Sequence, residues 1–256
     1  MADAATGVMN RPAWVDLATT DPTAARDFYA RLFGWDLEVN PDPQYGGYAM
    51  AKVGGQEVAG IGGTQSPDQP SAWSLYIGTD DVDRLAQRVQ AAGGTVVAPP
   101  FAVGDQGRMV VFQDPSGAVI SGWQPTRMSG FQTQGANTYG WAELNARGFQ
   151  RDVPFYRDVF GWTAKDSGNE AQPYTEFQVD GQSVGGGFEM NQAMSSQMPS
   201  FWMVYFNVDD IDDAFRRATA SGAREMVAPQ DFPGGRFAML TDPQGAAFGL
   251  LQMAPR

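Results

Sequence analysis

The sequence predicts an α+β protein assembled from four βαβββ modules, two in each half of the chain. The first observation is an internal repeat, because FYARLFGW at residues 28–35 returns as FYRDVFGW at residues 155–162. The second is that DPSGA at residues 114–118 returns as DPQGA at residues 242–246, at nearly the same spacing. The third is that each half shows the same order of short apolar segments and one-sided helical segments.

The first module begins with an apolar strand over residues 13–18 and continues into a helix. Asp21 is typical of an N-cap, Pro22 suits the first helical position, and Gly34 suits the helix end. The apolar residues of this helix recur on one face: Ala25, Phe28, Tyr29 and Leu32. Three strands are predicted to follow, near residues 37–39, 48–53 and 57–61.

The second module repeats this order. A strand over residues 73–77 leads to a helix that Asp80 or Asp81 caps and that Gly93 ends. The apolar face of this helix has helical spacing: Val82, Leu85, Ala86 and Val89. Three strands are again expected, near residues 95–98, 108–112 and 119–123.

The second half repeats both modules after a polar segment without periodicity. This division predicts a first domain over residues 12–125, a linker over 126–138 and a second domain over 139–253. One departure is Pro154, which falls where the first half has the interior of its first helix. Because proline disfavours a helix interior, we expect this helix to start late, with Asp152 as N-cap, or to be kinked.

Composition excludes several classes of site. The 256 residues include no histidine and no cysteine, so zinc sites of the Cys/His type, histidine-based triads, iron–sulfur clusters and disulfides are excluded. With 17 basic and 29 acidic residues the formal charge is −12, which argues against nucleic acid or an anionic membrane as partner. No apolar run is long enough to span a bilayer and no secretory signal is visible, so a cytoplasmic location is expected.

Modules that carry FYxxxFGW after the first strand and DPxGA before the last strand resemble the vicinal oxygen chelate superfamily. That superfamily includes glyoxalase I, extradiol dioxygenases and bleomycin-resistance proteins. The resemblance covers about residues 12–253 and is closest to tandem-domain actinobacterial proteins. It implies that paired modules curl into a cup, with the functional site on the concave face.

The resemblance also implies where the family's metal ligands would lie. Three of these positions in each half hold side chains unsuited to a hard cation: Trp14, Ser74 and Ser121, then Trp141, Met203 and Gly249. We therefore expect no metal and no other cofactor.

Alternation along the strands predicts which side chains face each cup, and Tyr48 and Tyr174 are added as a matching pair on the third strand of each half. The candidate ligand-binding residues are mainly aromatic: Trp14, Tyr48, Ser74, Tyr76, Ser121 and Trp123, then Trp141, Tyr174, Met203 and Tyr205. Each cup also holds one carboxylate, Asp16 or Glu143, as the candidate catalytic group. Aromatic walls with few polar groups are typical of small-molecule pockets and suit planar or cationic ligands.

Several of these residues have a purely structural alternative. Trp14 and Trp141 are equally compatible with the core, while Trp35 and Trp162 are expected there. Asp16 and Glu143 either face a ligand or are held by Arg108 and Arg236.

Two other features have more than one interpretation. The glycine runs at residues 60–63 and 185–187 are interpreted as allowing strand curvature. The methionines between Met190 and Met203 are either core filler or an adaptable lid.

Two functions are compatible with this pattern, and the sequence leaves open whether the protein is an enzyme. The favoured one is metal-free binding of an aromatic, cationic natural product such as an antibiotic, for drug resistance or as a biosynthesis accessory. The alternative is a cofactor-independent lyase, isomerase or hydroxylase-type enzyme. In it Asp16 or Glu143 acts as general base and Tyr76 or Tyr205 as acid or oxyanion donor. We expect a monomer or a weak homodimer.

Overall fold

A computed structural model describes residues 8–128, 130–169, 173–191 and 198–254. Within these residues the chain forms two mixed eight-stranded sheets, one from each half of the sequence. The strands of the first sheet are β1 Pro12–Thr19, β2 Asp36–Val39, β3 Ala49–Val53, β4 Gln56–Gly63, β5 Ala72–Gly78, β6 Thr95–Val103, β7 Gly107–Gln113 and β8 Val119–Pro125. Those of the second sheet are β9 Tyr139–Ala146, β10 Thr163–Asp166, β11 Thr175–Val179, β12 Gln182–Glu189, β13 Phe201–Asn207, β14 Arg224–Phe232, β15 Gly235–Thr241 and β16 Ala247–Met253.

The strand order is the same in both sheets. It is β2-β3-β4-β1-β5-β8-β7-β6 in the first and β10-β11-β12-β9-β13-β16-β15-β14 in the second. Each module contributes an antiparallel three-stranded arm and a first strand that pairs in parallel with the last strand of that arm, as β1 does with β4. The predicted α+β class with four βαβββ modules is confirmed.

Each module has one α-helix, and these are α1 Pro22–Phe33, α2 Val82–Ala91, α3 Asp152–Phe160 and α4 Ile211–Ala220. Asp21 caps α1 by accepting a hydrogen bond from Ala24 N at 3.0 Å, and Gly34 ends it at φ 67°. Of the two candidates for α2, Asp81 is the cap. No helix among the described residues is long and apolar enough to cross a membrane.

The helix α3 starts late, as Pro154 predicts, after a 3-10 turn over Phe149–Arg151. The prediction that Asp152 is its N-cap is wrong, because Asp152 is the first helical residue and its carboxylate accepts from Ser116 N instead. The backbone N–H groups at the start of the 3-10 turn have no acceptor within the helix. They donate instead to the Glu189 carboxylate of β12, from Gly148 N at 2.9 Å and from Phe149 N at 2.7 Å.

The chain divides into two compact units that do not follow the sequence halves. Unit one holds the described residues up to Trp14 with Leu75–Gly130 and Ala142–Trp202. Unit two holds Val15–Ser74, Phe131–Trp141 and the described residues from Met203 onward. Each unit therefore draws on both halves, and a division into domains at residues 126–138 stays a prediction.

The repeated motifs meet inside unit two as a buried hydrogen-bonded set. The Tyr29 hydroxyl donates to Asp242 Oδ2 at 3.0 Å and accepts from Trp73 Nε1 at 2.9 Å. All three side chains are buried, and Tyr29 stacks on Trp35, a predicted core residue that is 4% exposed. Burial, and then the Asp242 carboxylate, raise the pKa of Tyr29 well above its usual value, so this phenol stays a donor.

Unit one contains the same arrangement. The Tyr156 hydroxyl donates to Asp114 Oδ2 at 2.8 Å and accepts from Trp202 Nε1 at 2.8 Å. Trp162, the second predicted core tryptophan, stacks on Tyr156 and is 1% exposed. The tyrosine of FYxxxFGW therefore binds the aspartate of a DPxGA motif from the other half of the sequence, in both units.

Candidate functional site

The strand β1 separates its side chains onto two faces. Val15 and Leu17 are buried, whereas Asp16 between them is half-buried and lies on the opposite face. By the same alternation Trp14 and Ala18 share the face of Asp16, and we call these three residues the first carboxylate row. Trp14 is 2% exposed, so this row starts from a closely packed indole.

Tyr48 brings a phenol to the first carboxylate row. Its hydroxyl donates to Asp16 Oδ2 at 3.2 Å. The ring lies on β4, because a Cβ at Gly60 would overlap the Tyr48 hydroxyl and a Cβ at Gly62 would lie 2.9 Å from Tyr48 Cδ2. Gly60 is also the strand neighbour of Asp16 in the register of β1 and β4. The glycine run thus makes room for the ring beside the carboxylate.

The second carboxylate row consists of Trp141, Glu143 and Asn145 on β9. Gly186 on β12 is the strand neighbour of Glu143, and a Cβ there would overlap the Tyr174 hydroxyl. A tyrosine over glycine beside a carboxylate therefore occurs in both sheets. Tyr174 also lies near Phe188, with ring centroids 6.5 Å apart and planes tilted by 31°.

The remaining predicted ligand residues of the first half occupy β5 and β8. Tyr76 is the strand neighbour of Ser121, and its ring meets Trp123 edge-on at 6.4 Å between centroids. Trp123 Nε1 donates to Met128 O at 2.9 Å, which holds the indole against the chain that follows β8. Tyr76, Ser121 and Trp123 are buried, and Ser74 is half-buried.

The matching residues of the second half lie on β13. Met203 is fully buried and Tyr205 is 3% exposed. The Tyr205 ring covers Gly249 on β16, where a Cβ would overlap it. The methionines at both ends of the Met190–Met203 segment are buried, which favours core filler for those two, while residues 192–197 lie outside the described part of the chain.

The alternative in which Asp16 and Glu143 are held by Arg108 or Arg236 is wrong, because both arginines pair with other carboxylates. Arg108 forms a two-point pair with Asp83 in the first turn of α2, at 2.6 and 3.2 Å. Arg236 forms the same pair with Asp212 in α4, at 2.6 and 3.2 Å. Both arginines thus pair with exposed carboxylates in the first turn of a helix rather than with Asp16 or Glu143.

The donor atoms at the family's ligand positions do not fit a metal ion. The first such position holds the buried Trp14 and its counterparts hold no carboxylate. The nearby Asp16 carboxylate already accepts the Tyr48 hydroxyl. Across the described ranges, no three acidic side chains are grouped so that they could hold a cation.

A groove elsewhere in unit one has a volume of about 790 Å³ and contains none of the predicted site residues. It is lined by Met9–Arg11 and by Gln178–Gln182, among others, and Arg11 pairs there with Asp180 at 3.4 Å. Its exposed ion pair suits a solvated groove better than an aromatic ligand.

Sequence reasoning missed the two glycine platforms, by which we mean Gly60 under the Tyr48 ring and Gly186 under the Tyr174 ring. The signal was present for the platforms, since Gly60 and Gly186 occur at matching positions in both halves, each preceded by a tyrosine twelve residues earlier. Alternation along the strand places Asn145 on the face of Glu143, but the repeat gives no signal for its buried amide, because its counterpart in the first half is Ala18.

Comparison with known proteins gives consistent matches over the whole repeat. The family described as Glyoxalase/Bleomycin resistance protein/Dioxygenase superfamily matches residues 11–121 and again residues 138–250. "Putative glyoxylase CFP32" of Mycobacterium tuberculosis (strain CDC 1551 / Oshkosh) is 40% identical over 252 residues, covering 96% of this chain and 95% of the relative. "Anthracycline biosynthesis protein DnrV" of Streptomyces peucetius is 34% identical over 257 residues, covering 94% and 93%.

Solved structures with the same fold include two enzymes, one of them bound to Mn(II). The Mn(II)-bound glyoxalase from Novosphingobium aromaticivorans aligns with a TM-score of 0.67 at 18% identity, over 95% of this chain and 82% of that one. The 2,3-dioxygenase LapB from Pseudomonas sp. KL28 aligns at 0.65 and 13% identity, over 96% and 92%. At these identities the likeness is one of fold.

Proposed function

The chain belongs to the glyoxalase/bleomycin resistance protein/dioxygenase superfamily, and we propose that it binds an aromatic small molecule without a metal. The observation that carries this proposal is the Tyr48 hydroxyl on Asp16, supported by the glycines that leave space for the ring. A phenol face and an anchored carboxylate offer stacking and a charged hydrogen-bond acceptor at one place. The same elements recur around Glu143, Gly186 and Tyr174.

The setting we propose is accessory to the biosynthesis of, or resistance to, an aromatic natural product. Two relatives are named as anthracycline biosynthesis proteins, and anthracyclines are polycyclic aromatic compounds. The charge of −12 favours a neutral or cationic ligand. We further propose a cytoplasmic protein that acts as a monomer or weak homodimer and takes no nucleic acid or membrane as partner.

The test is a titration with a series of polycyclic aromatic compounds that includes an anthracycline. Binding is monitored by tryptophan fluorescence and by calorimetry. We expect micromolar binding with no conversion of the compound. The double variant Asp16→Asn/Glu143→Gln keeps the shape of both side chains but removes their charges, and should weaken the binding of cationic members of the series about tenfold. Absence of binding across the series at micromolar concentrations would refute the proposal.

A second candidate function is proton transfer without a cofactor. It is favoured by the same contact, because once the carboxylate takes up a proton from the ligand, the phenol at 3.2 Å can redirect its O–H to the negative charge that develops on the ligand. Asp16 or Glu143 would be the base, and Tyr76 or Tyr205 would supply a further acid. If a bound compound is converted, and conversion persists in the Asp16→Asn/Glu143→Gln double variant, this assignment fails.

A further inference from the structure

The two carboxylate rows differ at one position that changes what they can recognise. The first row ends in Ala18, whereas the second ends in Asn145 at the equivalent place, 127 residues later. The neighbouring strand differs as well, because Phe188 pairs with Asn145 where Gly62 pairs with Ala18. The second row therefore has an additional amide and an additional aromatic ring.

The Asn145 amide leaves one buried acceptor unused. The side chain is fully buried, and Nδ2 donates to the Glu143 backbone O at 3.2 Å. Its Oδ1 is buried and accepts no hydrogen bond. The opposite amide orientation would place two carbonyl oxygens against each other, so the hydrogen bond to Glu143 defines which atom is left over. Native proteins rarely leave such an acceptor unsatisfied, and a ligand donor is one way to satisfy it.

The surroundings of Oδ1 indicate which donor fits. The Glu143 side chain projects from the same face of β9 two residues earlier, and its strand neighbour Gly186 is covered by Tyr174. The Tyr174 and Phe188 rings lie within 6.5 Å of each other beside this row. A carboxylate, an amide oxygen and aromatic faces together are the groups that proteins use to bind an ammonium group.

We propose that the second carboxylate row binds the protonated amine of an aromatic ligand, with Asn145 Oδ1 accepting one N–H and Glu143 supplying the negative charge. The first row, with Ala18 in place of the amide, binds an aromatic ring and has a weaker preference for a ligand with an amine. This inference rests on the proposed function, because it assigns a ligand class to one of the two proposed sites.

The experiment uses three naphthalenes of nearly the same shape: 1-(aminomethyl)naphthalene, 1-naphthalenemethanol and 1-methylnaphthalene. Calorimetry is performed on the full chain carrying Gly60→Ala, in which the added Cβ displaces Tyr48 and blocks the first row. We expect the amine to bind at least tenfold more tightly than the methyl compound, with the alcohol between them. Adding Asn145→Leu should remove most of that preference. The affinity for 1-methylnaphthalene should stay within about twofold of its value before the change.

A merely structural role of Asn145 predicts a different result. Loss of folding stability would weaken all three compounds alike, so the selectivity ratio is the decisive readout, and Asn145→Ala provides a second variant if the leucine is not accommodated. The matched control is Gly186→Ala, which blocks the second row and should leave only a weak preference for the amine. An unchanged ratio in both Asn145 variants would overturn this inference and leave the proposed function intact. Failure of the wild-type protein to bind any of the three would overturn this inference, whereas the proposed function is decided by the titration with the polycyclic series.

Discussion

Unit one and unit two repeat the same buried Tyr–Asp–Trp set, yet only unit one adds a further carboxyl group. In unit one, Ser116 N donates both to Asp114 Oδ1 at 3.0 Å and to Asp152 Oδ1 at 3.1 Å. In unit two, Gln244 N donates to Asp242 Oδ1 at 2.9 Å, and the residue equivalent to Asp152 is Ala25. Unit two thus has the larger side chain on the turn, Gln244, and the smaller one on the helix, Ala25.

The difference shows which part of the repeat is constrained. Within the set, each tyrosine hydroxyl uses both its donor and its acceptor capacity, so changing any member leaves a buried polar group unpaired. Beside the set, the helix residue and the turn residue both differ between the units. In unit one that freedom has left Asp152 Oδ2 buried without a partner, and burial together with Asp114 raises the pKa of Asp152 to about 7.

Breaking the Tyr–Asp–Trp set of either unit should have the largest effect on stability. Tyr29→Phe and Tyr156→Phe each remove the hydroxyl between an indole N–H and a buried carboxylate. We expect each to lower the free energy of unfolding by about 3 kcal/mol, measured by chemical denaturation at pH 7. Tyr45→Phe, at a half-exposed tyrosine, is the control and should change little. Losses of unfolding free energy no greater than that of the control would show that these hydrogen-bonded sets do not stabilise the units in which they lie.

The added carboxyl should give unit one a sensitivity to pH beyond that of the aspartate the two sets share. The folded-state pKa of Asp152 is about 7 and the unfolded value is about 4, so the folded chain binds more protons between these values. The contribution of Asp152 to the free energy of unfolding is therefore highest below about pH 4, falls as pH rises through this window and levels off above about pH 7. Asp152→Asn removes this contribution and should be more stable than wild type at pH 8, by about 2–3 kcal/mol, with the gain shrinking toward pH 4.

A reciprocal exchange of residues sharpens this test. The Ala25→Asp/Gln244→Ser variant gives unit two the residue types of unit one and should acquire a similar pH slope in denaturation experiments. Asp27→Asn, at an exposed position of α1, is the neutral control. A flat difference between Asp152→Asn and wild type from pH 4 to 8 would mean that Asp152 is already ionised in the folded protein.

The glycine platforms should show a smaller effect on stability and a clear effect on binding. Gly60→Ala and Gly186→Ala force the ring of Tyr48 or Tyr174 off its strand, so each should weaken the binding of aromatic compounds at its own row at least tenfold, measured by calorimetry. Gly63→Ala is the matched control on β4, because its Cβ would meet only Pro22 Cγ at 3.7 Å. Equal binding by Gly60→Ala and Gly63→Ala would remove Tyr48 from the proposed site.

The smallest effect is expected at the exposed arginine pairs, which both units share. Arg108 pairs with Asp83, whereas Arg236 pairs with both Asp212 and Asp231. Because exposed ion pairs are screened by water and salt, Arg108→Gln and Arg236→Gln should shift the thermal midpoint only slightly, and less in 0.5 M salt. A large, salt-independent loss in either variant would contradict the exposed position of these pairs.

Much of this fold could be predicted because the repeat provides two examples of each element. The late start of α3 followed from Pro154, and the caps of α1 and α2 from their aspartates. The grouping of modules into units could not be predicted, because the sequence contains two DPxGA aspartates and either one is a possible hydrogen-bond partner for each FYxxxFGW tyrosine. Only the folded chain shows that Tyr29 binds Asp242 and Tyr156 binds Asp114.

The candidate site was predictable only in part. Alternation along β1 and β9 placed Asp16 and Glu143 on a common face with their tryptophans, but it gave no information on their neighbours from other strands. Arg108 was a plausible partner by charge alone, whereas Tyr48 reaches Asp16 only because Gly60 has no side chain. Such cross-strand contacts depend on register, which a single sequence does not reveal.

The exchange of motif partners between halves affects how the chain can be divided. A fragment that ends in the 126–138 segment would carry Tyr29 and Asp114, while its complement would carry Tyr156 and Asp242. Each fragment would thus hold one member of each bonded pair, and the two pieces would be mutually dependent, like the subunits of an obligate heterodimer. The polypeptide between them then serves as a tether that sets the local concentration of one half for the other.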